Sequence, residues 1–166
     1  MTGTQTMTTR RFPKLTYETL GAMFVAGAFA TMAFDLWGQL ISPGLGWAAL
    51  SPHGLARSLL GSLGLPNGDF AGYWMHFYLV GLLGYPLGWL FIFRPLWRMI
   101  LGDGLPWIVP AAIYGLGLWV FAIGGITSVA GLPFFLNFTG ITWVALIGHV
   151  LYGIVMVAIF RLMGRS

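Results

Sequence analysis

Four long apolar runs dominate the chain, at residues 20–41, 73–93, 107–130 and 139–160. Between them they hold one acid and two histidines: Asp35, His76 and His149. Each run is about the length a helix needs to cross ~30 Å of hydrocarbon. Open strands are excluded, because unpaired backbone groups are too costly in lipid. The alternation of a membrane barrel is also missing. The pattern predicts an all-α, polytopic membrane protein with four transmembrane helices in one bundle (residues 20–160), between terminal tails at 1–19 and 161–166.

The connection between the first two runs, residues 42–69, is the longest. In it Ser51 can cap a helix and Pro52 suits a first helical position. Leu55, Leu59, Leu60 and Leu63 fall on one face, with His53 and Arg57 on another. That spacing predicts a short interfacial helix lying on the outer leaflet.

Composition agrees. Of 166 residues, 58% are hydrophobic and 7% charged, and mean hydropathy is +0.84. A soluble domain carries about 25% charged residues. The absence of cysteine excludes disulfides, thiolate metal sites and iron–sulfur ligation. The net charge of +4 sits in short flanks of the apolar runs, so it speaks for orientation rather than for nucleic acid. Arg10, Arg11, Lys14, Arg94, Arg98, Arg161 and Arg165 fall on one side and Arg57 alone on the other. Both termini are therefore expected in the cytoplasm, in a bacterial inner membrane. Ala28-Phe29-Ala30 resembles a signal-cleavage site, but the apolar run continues to Ile41, so an uncleaved first helix is expected. The Thr-rich residues 1–9 read as a mobile tail.

Small residues mark the helix faces expected to meet. These are Ala22, Ala26 and Ala30; Gly84 and Gly88 around Pro86; Gly117, Gly124 and Ser128; and Gly153. Pro86 is expected to kink its helix. Trp37, Trp47 and Trp74 at one boundary and Trp89, Trp97 and Trp107 at the other read as an aromatic belt.

Ionisable groups in hydrocarbon are costly and point to function or to a specific contact. Thr31, Asp35 and Gln39 repeat at four-residue spacing and form a polar stripe expected to face protein. Counting ~1.5 Å per residue puts Asp35 and His76 at similar depth on consecutive helices, which makes them partners. The same count places His149 about 5–10 Å deeper, with Thr142, Ala145, Tyr152 and Gly153 on its face. Three readings compete. His76 and His149 could be axial ligands of one b-type haem, although their depth offset opposes it. Asp35 and His76, with or without His149, could hold copper, zinc or iron. Or each polar side chain is satisfied by a neighbouring helix or a partner subunit, and fixes register. His53, Glu18, Asp69 and Asp103 read as ordinary loop and flank residues. No phosphate loop, zinc helix or serine elbow is present.

The segments Ala30-Thr31-Met32-Ala33-Phe34-Asp35-Leu36-Trp37-Gly38-Gln39 and Gly148-His149-Val150-Leu151-Tyr152-Gly153 resemble small four-helix bacterial inner-membrane proteins that carry no assigned function. The resemblance implies topology alone. A weak internal echo, His76 before Gly81 and His149 before Gly153, suggests duplicated hairpins. The expected role is a small accessory or structural subunit packing against other subunits of a larger membrane complex. The alternatives are a haem- or metal-binding electron-transfer subunit, and a small transporter or channel with a polar path at Thr31, Asp35 and His76.

Overall fold

The computed structural model describes residues 13–165. Arg10, Arg11 and the Thr-rich segment lie outside the described residues. The chain is all-helical, and four of its helices are long and apolar enough to cross a membrane: α1 (Tyr17–Gly44), α3 (Asp69–Leu101), α4 (Ile108–Val129) and α5 (Gly140–Leu162). Between α1 and α3 lies the short α2 (Pro52–Ser62). The start of α1 and the segment after α5 meet at one end of the bundle, where Arg165 donates to Glu18 at 2.6 Å. The opposite end carries α2. A belt of exposed Phe, Leu, Ile and Val surrounds the long helices.

The bundle is held by close backbone approach. α5 packs along both α1 and α4, and α3 packs on α1. Ala22, Ala26 and Ala30 are fully buried in the α1 face, as their spacing predicts. A methyl on Gly27 would strike the Gly81 carbonyl, and one on Gly81 would strike Thr31. The α4–α5 crossing is built alike: a methyl on Gly115 would strike the His149 carbonyl, and one on Gly153 the Ala111 carbonyl. Without lipid-side hydrophobic gain, such contact is what joins membrane helices. Gly117, by contrast, faces open space.

α3 continues through Pro86 with widened turns on both sides, over Met75–Gly84 and Gly88–Phe93, where bonds span five residues instead of four. Here the Tyr85 N–H reaches back to Val80, and Pro86 has no N–H to offer. The Gly81 carbonyl therefore loses its helical donor. The Tyr152 hydroxyl of α5 takes its place, donating to Gly81 at 2.6 Å. The Tyr114 hydroxyl of α4 similarly donates to the Tyr85 carbonyl at 2.5 Å. Pro43 shows the same device in α1, where the Leu50 N–H donates to the Gly38 carbonyl at 2.8 Å. Each proline thus leaves an acceptor that ties its helix to another part of the chain.

Several expectations change. α2 does not lie free on a surface. Ala56 and Leu59 are buried and the helix closes over the end of the bundle, while Leu63 stands exposed. Arg57 pins it, donating to the Asn67 carbonyl at 2.9 Å and pairing with Asp69. Ser51 makes no side-chain cap. Nor do all tryptophans form a belt. Trp47 and Trp74 are exposed, but Trp89 is buried in the core. The Trp37 indole donates to the Val144 carbonyl at 2.9 Å, which fastens α1 to α5. Glu18, Asp69 and Asp103 each pair with an arginine at the surface, and such pairs contribute about 0–1 kcal/mol.

The α4–α5 connection is strained. Phe135, Leu136, Asn137 and Phe138 all have φ between 47° and 57°. Left-handed backbone costs about 1–2 kcal/mol per residue. The turn is held by the buried Phe135 ring, 4.8 Å from Trp119, and by the Thr142 hydroxyl, which donates to the Phe135 carbonyl at 2.6 Å.

Candidate functional site

Asp35 and His76 meet. The His76 Nε2 stands 3.0 Å from Asp35 Oδ1, across the α1–α3 interface. The pair is mostly shielded, at 27% exposure for the Asp35 side chain and 15% for His76. A neutral His76 that donates from Nε2 to the Asp35 carboxylate keeps its Nδ1 as an acceptor.

His149 of α5 is buried, and its Nδ1–H donates to the Ala145 carbonyl at 2.7 Å. A carbonyl cannot donate, so this bond fixes the tautomer and leaves Nε2 as a lone-pair acceptor. That nitrogen has no partner among the described residues, yet it is not sealed off. What it borders is a cavity.

The cavity, of about 280 Å³, lies at the α2 end between α3 and α4. Leu55, Ala56 and Leu59 of α2 cover it, and Ala122, Ile123 and Leu136 form much of the far wall. Its polar groups are few: chiefly Thr31, His76, Tyr85, His149 and Tyr152. Two of these are already engaged, because Thr31 donates to the Gly27 carbonyl at 2.8 Å and Tyr152 to Gly81. His76, Tyr85 and His149 remain to meet a ligand. Phe121 and Ile141 wall the cavity and also stand exposed on the apolar belt, so it borders the lateral face of the bundle. Toward the chain termini the interior is closed by Met23, Ala26, Met156 and Phe160, all fully buried.

Of the residues singled out from sequence, Thr31, His76 and His149 wall one cavity, with Asp35 behind His76. Gln39 does not join them. It is exposed, for a geometric reason: a four-residue step advances about 40° around a helix. Thr31 is buried, Asp35 half-buried and Gln39 exposed in that order. Tyr85 and the leucines of α2 were not singled out as site residues. A tyrosine just before Pro86 was the available signal.

The haem and metal readings can be tested on these contacts. The Phe34 ring packs 4.9 Å from the His149 ring and 6.2 Å from the His76 ring. Two nitrogens on one metal would each lie about 2 Å from it. The imidazoles meet Phe34 instead, and the Asp35 contact already occupies Nε2 of His76. Among the described residues no three His, Cys, Asp or Glu side chains converge on a point. These residues do not fit a bis-histidine haem or a closed metal site. A polar path through the bundle would have to cross the closed interior below the cavity.

No family model, curated protein or solved structure matches the chain.

Proposed function

We propose that the chain is a small accessory subunit of a bacterial inner membrane, with both termini cytoplasmic. Its task on this reading is to hold one apolar molecule, drawn from the lipid phase, in the cavity under α2. The carrying observation is the cavity itself: apolar walls, a border on the lateral belt, and two imidazoles in its lining, each of which as a neutral ring engaged through its other nitrogen keeps one acceptor. An acceptor pair calls for a donor on the ligand, and the Tyr85 hydroxyl can return a bond. A hydroxyl-bearing head group, such as an alcohol or quinol, answers both needs. Specificity of this kind is strong, because a ligand without the hydroxyl would leave buried acceptors unpaired. The orientation is supported by Lys14, Arg94, Arg98, Arg161 and Arg165 at the terminus end against Arg57 at the other, with Arg10 and Arg11 preceding α1 in sequence.

The test is chemical. Purify the chain with its surrounding lipid and analyse the extract by mass spectrometry. A stoichiometric hydroxyl-bearing apolar molecule is expected. It should be lost in Ala122→Phe, which fills the cavity, and depleted in His149→Leu, which retains bulk but carries no acceptor. An extract from the native chain that holds only bulk phospholipid would reject the reading.

A further inference from the structure

A second pocket lies at the other end of the bundle and plays no part in the site above. It has a volume of about 280 Å³ and is walled by α3, α4, α5 and the α3–α4 turn. Its composition is the opposite of the first. Arg94, Arg98 and Arg161 line it together with Trp89, Trp97 and Trp107. The acid among its lining residues is Asp103, which accepts from Arg98 Nε at 2.7 Å. Three guanidinium groups against one carboxylate leave a surplus of two positive charges.

The cations are held in place. Arg161 lies over the Trp107 ring, 5.6 Å from its centre, a cation–π contact that fixes the side chain. Arg94 and Arg98 are one turn apart on α3 and so project to the same side. Arg94 is half-buried and has no ion-pair partner among the described residues. A half-buried, uncompensated guanidinium is costly unless an anion joins it. Guanidinium forks match tetrahedral oxyanions, which they grip in pairs of parallel bonds. Trp97 and Trp107, partly exposed beside the pocket, are the kind of side chain that settles at headgroup depth.

We infer that this pocket binds a phosphate group, and that an anionic phospholipid presents it. Arg94 and Arg161 grip the phosphate from two helices, and Arg98 adds charge at the rim while Asp103 steadies it. The acyl chains then run along the exposed apolar belt. Bound this way, the lipid bridges α3 to α5 where the bundle is otherwise joined by few polar contacts.

The experiment measures lipid preference on the full chain in nanodiscs. Acyl-brominated phosphatidylglycerol is titrated into a phosphatidylcholine background, and quenching of tryptophan fluorescence reports its association relative to brominated phosphatidylcholine. The native chain should prefer phosphatidylglycerol. The preference should fall about fivefold for each of Arg94→Gln and Arg161→Gln. It should be unchanged in Arg57→Gln at the other end. If a variant does not fold, raised salt on the native chain serves instead, and should erase the preference. Inorganic phosphate added to phosphatidylcholine discs separates the sources. If it raises the thermal midpoint as phosphatidylglycerol does, and competes with it, the site takes free phosphate and the lipid assignment is overturned. Equal association of both lipids with the native chain overturns the whole inference.

Discussion

The bond between Tyr152 and Gly81 offers the sharpest test of how this bundle is tied together. Tyr152→Phe removes only the hydroxyl and keeps the ring, including its edge contact with Tyr85 at 5.3 Å. The Gly81 carbonyl is then left with no donor in a buried interface. Leaving a buried acceptor unpaired costs about 1–3 kcal/mol in general. Interhelical hydrogen bonds in membranes average only ~0.6 kcal/mol and reach ~1.7, because an unfolded chain in lipid finds other partners. Here the backbone substitutes are missing, since the Tyr85 N–H goes to Val80 and Pro86 has none, and the nearby Thr31 hydroxyl already donates to Gly27. The cost should therefore sit near the upper end, at about 1.5 kcal/mol. Pro86→Ala supplies an N–H that can serve the same carbonyl. In that background Tyr152→Phe should cost less than about 0.5 kcal/mol, a coupling of roughly 1 kcal/mol. Reversible unfolding in bicelles, followed for the wild type, both single variants and the double, reads this directly. Equal cost of Tyr152→Phe with and without Pro86 would refute the claim that the proline creates the acceptor.

Other consequences are as specific. Gly115→Val should displace α5 from α4 and lower the thermal midpoint in detergent, because added bulk meets the His149 backbone; overpacking of this kind costs about 1–3 kcal/mol. His76→Ala leaves Asp35 without its partner and should destabilise by about 1–3 kcal/mol, more than Asp35→Asn, which keeps a hydrogen bond to the ring; equal losses in a denaturation series would argue that the pair is not formed. Asn137 is exposed at φ 57°, so Asn137→Val should cost about 1–2 kcal/mol through the backbone alone while Asn137→Gly is neutral or stabilising. If both unfold alike, the turn is not left-handed.

Much of the architecture follows from hydropathy. The four apolar runs become α1, α3, α4 and α5, although α1 and α3 extend beyond them at both ends, to residues 17–44 and 69–101. The alanine stripe on α1 and the glycine at 153 mark real contact faces, since small side chains are the only ones that allow such approach. The Asp35–His76 contact follows from counting helical rise along two adjacent spans. Depth counting misleads for His149. It separates that ring from His76, whereas both wall one cavity and touch Phe34. The cover formed by α2 was hidden for a different reason. An amphipathic helix has the same pattern whether its apolar face meets lipid or a cavity. Tyr85 is not legible because a tyrosine within an apolar run looks like any other aromatic, and only its place beside the His149 ring at the cavity gives it a role.

The proposed function depends most on which nitrogens of His76 and His149 are left to accept. Nitrogen-15 solid-state NMR on histidine-labelled protein in bilayers, with His149→Gln and His76→Gln to assign the signals, measures this directly. His149 should appear as a neutral ring protonated at Nδ1, and its bare Nε2 should shift when co-purifying lipid is removed by lipid exchange. A His149 ring protonated at Nε2, or at both nitrogens, would contradict the account, because the cavity would then offer a donor where a hydroxyl-bearing ligand needs an acceptor.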